Sequence, residues 1–249
     1  ASFFVTLLYL VEHNWRLPIQ VLAGVMMILS CYTYIAARSQ AKVLKGQPKA
    51  PKKTLAFGVI IKQPVFIFMA LLAFGYGAVE FGNANWFVSY AQNGLGFSGE
   101  QSRNLLACFT AGMVISRLTF PFLLRFVSVH RLIVLMATAS LAGVFTLKLM
   151  PSLYGIGAGN LLLGLGLGGL FPLMLSAAMN IDSDNGPVLS GIAIIGNSTG
   201  VQVASFSTGL WANFAPLTTA FWVIPIGGGL LWLASYGYSR KIKYRNSPA

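Results

Sequence analysis

Acidic side chains are nearly missing from this sequence: Asp and Glu number five in 249 residues, against seventeen Lys and Arg. Charged residues make up 9% and hydrophobic ones 56%, with a mean hydropathy of +0.72. Soluble domains carry roughly one quarter charged residues, so the scarcity excludes that class and indicates an integral membrane protein. Histidine is as rare, and both copies, His13 and His130, fall at loop edges. An intramembrane serine protease needs a Ser paired with a His at depth, and an aspartyl type needs two carboxylates sharing one site. Only Glu80 lies deep in an apolar run, which argues against an enzyme. The two cysteines, Cys31 and Cys108, sit in separate runs without metal-ligand spacing and read as small buried residues. No Walker motif is present, so ATP is not expected to drive this chain, and no cofactor is called for. Gly164, Gly166 and Gly169 satisfy G-x-G-x-x-G in form only, because no strand precedes them and the surrounding run is an apolar helix. The net charge of +12 does not point to nucleic acid, since the basic residues are grouped in short segments between apolar runs.

What is present in quantity is long apolar sequence. A membrane span needs about 20 mainly apolar residues, and seven segments qualify: 17–35, 65–90, 105–124, 132–149, 153–179, 188–211 and 218–238. They are continuously apolar and too long for the roughly ten-residue alternating strands of a membrane barrel. The expected fold class is therefore all-α. Lys and Arg divide unevenly between alternate connections. One side receives the basic 36–62 segment, Arg117, Arg125, Arg131 and the 240–245 tail, while the other has only Arg16, Arg103 and Lys148. By the positive-inside rule the 36–62 segment and the C-terminus are cytoplasmic.

The 36–62 segment is rich in Lys, holds Pro48 and Pro51 and lacks acids, as a flexible linker would. It divides the chain into residues 1–35, a partial helix plus one span, residues 63–239, six spans, and a basic tail at 240–249. Residues 1–11 are apolar, too short to cross and without the pattern of a signal peptide, and are expected to be the end of a helix in a longer protein. Among the six spans, the first and the fourth are interrupted by glycine: Gly75, Gly77 and Gly82 in one, a run from Gly155 to Gly169 followed by Pro172 in the other. Matching interruptions in two halves point to a transporter site at the interface of three-plus-three repeats.

The stretch 74–90, FGYGAVEFGNANWFVSY, places Glu80 with Asn83 and Asn85 inside a span. Charge at membrane depth is costly and marks ion or substrate paths. Tyr76, Glu80, Asn83 and Tyr90 fall at helical spacings and share one face, with Trp86 and Phe87 beside it. Aromatic surface next to amide and carboxylate groups suits a sugar, with a C–H-rich face and a hydroxyl rim. Glu80 would accept hydroxyl donors or carry a proton coupled to substrate. About fifteen residues past Val65, it is expected beyond the midplane toward the outside, unless tilt or a break at the glycines moves it. Asn160, Asn197 and Gln202 are candidate ligand contacts or interhelical glue. Arg117 interrupts its span before the cytoplasmic end and is expected to snorkel, to close a gate, or to meet an anionic group.

Four stretches carry a resemblance to a known family: GYGAVEFGNANWFVSYAQNGLGFS at 75–98, GMVISRLTFPFLLRFVSVHRL at 112–132, GLGLGGLFPLMLS at 164–176 and VLSGIAIIGNSTG at 188–200. Over essentially its whole length the chain resembles the C-terminal half of a major facilitator superfamily transporter, preceded by the sixth helix and the central loop. The first and third stretches are similar to the sugar and fucose permease branch. The resemblance implies a C-terminal six-helix bundle of three-plus-three inverted repeats, alternating access, and a partner N-terminal bundle in the same protein. One departure falls between the eighth and ninth helices: Arg125 fits the basic position of the loop motif, but Leu124 stands where an acid belongs. Asp182 and Asp184, on the neighbouring connection, are candidates to supply carboxylates to Arg117, Arg125 or Arg131 at a cytoplasmic gate.

The expectation is a secondary active permease in the plasma membrane, or the inner membrane of a bacterium. Its cargo would be a small polar solute, a sugar first, with protons as coupling ion through Glu80. Efflux of amphipathic compounds and an inactive half-transporter fragment are the alternatives.

Overall fold

The computed structural model describes residues 16–44, 64–181 and 185–245. Asp182 and Asp184 lie outside the described residues, as does most of the 36–62 segment. Every element among the described residues is helical: α1 (Arg16–Leu44), α2 (Pro64–Ser89), α3 (Gly99–Leu123), α4 (Val129–Leu149), α5 (Leu153–Gly168), α6 (Leu170–Ile181), α7 (Gly186–Ala212), α8 (Leu217–Ala220) and α9 (Val223–Arg245). The chain falls into two compact units, the first containing α1 and the second α2 to α9. In the second, six helical stretches are long and apolar enough to cross a membrane, as in a multi-pass membrane protein: Pro64–Gly94, Gly99–Leu123, Val129–Leu149, Leu153–Asn180, Gly186–Ala212 and Leu217–Ile242.

The seventh expected span, 17–35, belongs to α1, whose apolar stretch Ala23–Ile35 is shorter than the other six. The helix itself continues to Leu44, into sequence expected as linker. Ala36, Ala37, Gln40, Ala41 and Lys42 are good helix formers, and the first proline comes only at Pro48.

Two further differences concern helix ends and glycines. Residues 99–103 fall between the expected spans 65–90 and 105–124, yet α3 starts at Gly99 because Ser98 and Gln101 form a reciprocal capping box: Ser98 Oγ accepts from the Gln101 N–H at 3.2 Å, and Gln101 Oε1 accepts from the Ser98 N–H at 3.1 Å. In α2 the glycines do not interrupt the helix. It runs unbroken from Pro64 to Ser89 and widens into a π-helical turn, Tyr90–Gly94. The spanning stretch thus extends to Gly94 and sets Glu80 near its middle, where the shorter expected span placed it in the outer half.

The α2 glycines act instead by letting backbones touch. A Cβ on Gly77 would lie 2.2 Å from the carbonyl oxygen of Asn197 in α7, and one on Gly200 would lie 2.0 Å from that of Phe74. Small residues serve this purpose in membrane helix pairs, where apolar burial between helices gives little driving force. The same device recurs on α5: a Cβ on Gly164 would stand 2.1 Å from the Phe109 carbonyl oxygen of α3, and one on Gly166 would stand 2.4 Å from the Ser140 backbone nitrogen of α4.

These contacts define the topology. The first helix of each trio packs between the second and third helices of the other: α2 against α7 and α9, α5 against α3 and α4. This exchange matches the glycine placement that suggested two repeats. Of the two glycine-rich spans, the one that holds α5 is broken, with Gly169 between it and α6.

Candidate functional site

At the middle of α2, Tyr76 and Glu80 lie one turn apart and open onto a cavity of about 420 Å³. Phe81 of α2, Arg117 of α3, Phe171 and Pro172 of α6, and Asn197 of α7 complete its lining. Tyr76 is 3% exposed, its ring 5.3 Å from that of Phe171, while Glu80 is half-buried.

The polar members are set together: Tyr76, Glu80 and Arg117 line the same cavity, and the guanidinium acts on the phenol and the carboxylate through its field. Arg117 Nε also donates to the Gly168 carbonyl at 3.2 Å. The guanidinium offers donors only and the ionised carboxylate acceptors only, while the phenol can do either. Asn197 is held against α2 by the side-chain-free Gly77. Its Oδ1 is buried without a protein donor, and a Cβ on Gly77 would meet it at 2.6 Å.

The other expected residues lie elsewhere. Asn83 and Asn160 are fully buried and bonded to each other, Asn83 Nδ2 donating to Asn160 Oδ1 at 3.1 Å in the contact between α2 and α5. Trp86 packs toward α7, where a Cβ on Gly209 would be 3.1 Å from its ring. Tyr90 is buried and stacks on Phe221 with centroids 4.0 Å apart. Gln202 is exposed on α7, and Asn85 reaches Ser205 at 3.3 Å. Of the expected gate residues, Arg117 lines the cavity, Arg125 lies over the Phe122 ring at 5.6 Å, and Arg131 is exposed in the first turn of α4.

Sequence reasoning missed Phe81, Phe171 and Pro172 as lining. A signal for the last was present, because a proline inside a spanning helix frees the carbonyl four residues earlier and marks irregular backbone, which is tolerated at membrane depth only where protein or a cavity satisfies it.

Fold and site together define an all-helical membrane protein with an ionisable cluster on a cavity at mid-span. No protein-family model matches the sequence, and no curated protein matches it.

Proposed function

We propose that the chain is the C-terminal bundle, with the preceding helix, of a major facilitator superfamily permease. It moves a small polar solute by alternating access, a sugar first among the classes considered, and Glu80 carries the coupled proton. The observation behind this reading is the Tyr76–Glu80–Arg117 cluster on a mid-span cavity beside a broken helix. Discontinuous helices and polar groups near the midplane are what solute and ion sites in transporters are built from. The exchanged packing of the two trios supports the repeat.

A partner bundle is supported by the coverage of the helices. The most apolar windows of α3 and α7 are each 22% buried, against 44% to 61% for the other four spans. Ser198, Thr199 and Gln202 are exposed within the α7 span, and polar side chains at that depth belong against protein or water, not lipid. An N-terminal bundle of the same protein would cover them and close the cavity. In this reading the basic segments and the C-terminus are cytoplasmic and the membrane is the plasma membrane or its bacterial inner equivalent.

Phe81, Phe171 and Pro172 make much of the lining apolar, which favours a second reading, export of amphipathic compounds. The deciding experiment is uptake of a labelled solute panel by vesicles bearing the full-length protein, with and without a pH gradient. Gradient-driven sugar uptake that Glu80→Gln abolishes is the expected result. Uptake indifferent to the substitution removes Glu80 from coupling, and hydrolysis of a solute by the purified protein overturns the transporter reading.

A further inference from the structure

Pro172 has no backbone N–H, and it stands four residues after Gly168, so the Gly168 carbonyl loses its intrahelical donor. Arg117 Nε supplies the replacement from α3 at 3.2 Å. On the next residue, the Gly169 N–H donates to Ser116 Oγ at 3.1 Å. The helix then resumes, with the Leu173 N–H on the Gly169 carbonyl at 3.2 Å. Consecutive residues of α3 therefore hold both sides of the break between α5 and α6. They reach it because glycine brings the backbones together: a Cβ on Gly168 would be 2.4 Å from the Met113 carbonyl oxygen.

The guanidinium that holds the break also lines the cavity beside Tyr76 and Glu80. Arginine presents its five N–H donors in a rigid planar fork. A group that draws the Nη end toward itself must rotate Nε, and with it the bond to Gly168. Phe171, just past the break, stands against Tyr76.

We propose that Arg117 is a positioning residue that couples occupancy of the cavity to the angle between α5 and α6. The coupling rests on the transport reading for its purpose, though not for its existence. A solute hydroxyl or carboxylate that takes the Tyr76 phenol or the guanidinium's remaining N–H groups loosens the hold on Gly168 and lets α6, whose far end is Ile181, swing relative to α5. This supplies what a coupling claim needs: an element with two arrangements, biased from the site.

The test measures the break directly. Spin labels are placed at Tyr154 on α5 and Met179 on α6, both exposed, in the full-length protein in lipid, with Cys31 and Cys108 replaced by Ser. Pulsed distance measurements are compared among variants, without added solute. Tyr76→Phe and Arg117→Lys are each expected to shift the distance peak on the order of 2 Å or to broaden it, the second because lysine keeps the charge and loses the fork. Pro172→Ala restores an N–H for the Gly168 carbonyl, and is expected to narrow the peak and to make Arg117→Lys silent in its background. An unchanged peak in Tyr76→Phe overturns the coupling, and an Arg117→Lys shift that persists with Pro172→Ala overturns the role of the orphaned carbonyl. If Pro172→Ala does not fold, Arg117→Gln and Arg117→Lys in the native chain decide: both move the peak if Nε holds the break, neither if it does not. Expected distances with no solute uptake would count against the transport reading alone, and gradient-driven uptake with unmoved distances would count against the coupling alone.

Discussion

Glu80 and Lys148 are both charged side chains set partly into the bundle, and their surroundings differ in kind. Lys148 ends α4, donates to the carbonyl of Thr218, and lies 5.4 Å from the Tyr90 ring centroid and 5.3 Å from that of Trp222. Tyr90 is itself stacked on Phe221. That half-buried cation is set against fixed groups of its own protein, and its work is to tie α4 to α8 and to the π turn ending α2. Glu80 has Tyr76 and Arg117 beside it and an open cavity in front of it. An ion set among packed groups helps hold a fold together; an ion facing a cavity is available to a ligand. The difference lies in the neighbours, because either residue alone in an apolar run gives the same signal in sequence.

The largest effect that would break the comparison is in coupling. Glu80→Gln keeps the shape but removes the titrating group, and is expected to lower gradient-driven uptake by at least about tenfold, the equivalent of about 1.4 kcal/mol. Exchange of solute in the absence of a gradient should survive. Lys148→Met, assayed side by side, should leave both rates within about twofold. A Lys148→Met loss as large as that of Glu80→Gln would show that the Lys148 cluster takes part in transport and would erase the distinction.

A second test sharpens the cavity side through its packing. Gly77→Ala drives a methyl into the Asn197 carbonyl, so α2 and α7 must separate; overpacking of this kind costs about 1–3 kcal/mol. Thermal stability in detergent should fall, and solute affinity with it, because Asn197 leaves the cavity. Gly191→Ala is the control, since nothing lies within 4 Å of its added carbon. There, the gain in helix propensity of up to about 1 kcal/mol should leave stability equal or higher. Equal losses at both positions would mean that the close approach at Gly77 is not what places Asn197.

At the end of α4, the lysine should show itself in stability. Lys148→Met removes a charged hydrogen bond to a helix-end carbonyl and two cation–ring contacts while keeping most of the apolar stem. The expected cost is about 1.5 kcal/mol, read as a lower unfolding midpoint with uptake unchanged. No change in the midpoint would make Lys148 a solvated end charge.

How much of this was legible in the sequence follows from the range of each interaction. The Tyr76–Glu80 pair was readable, because a spacing of four fixes one face of a helix. The all-helical class and six of the spans were readable from run length. The start of α3 could have been read from Ser98 and Gln101. Arg117 and Asn197 were seen as polar residues within spans, but their meeting with Glu80 depends on how α3 and α7 cross α2, which no local pattern encodes. The α2 glycines looked like breaks and are contact points, because composition alone does not separate a residue that permits bending from one that permits approach. Asn83 and Tyr90 show the reverse limit. They share a nominal stripe with Glu80, yet α2 is covered by α7 and α9 along its length, so one stripe passes from cavity into packed core within two turns.

The Asn83–Asn160 pair is where that limit can be measured, at the smallest scale. Both residues are fully buried and one hydrogen bond joins them, while Asn83 Oδ1 and Asn160 Nδ2 lack protein partners. If the pair is glue between the two repeats, a double-mutant cycle with Leu at each position should return a coupling of about 0.6 kcal/mol, the usual size for polar contacts between membrane helices. The doubly substituted protein should be no less stable than the worse single variant, since a lone buried amide is worse than none. Solute KM should be the same in all four proteins, because neither side chain lines the cavity. A KM that rises with Asn83→Leu while stability holds would move Asn83 into the binding site and extend the cavity outward along α2, toward the region that the closed Lys148 cluster otherwise seals.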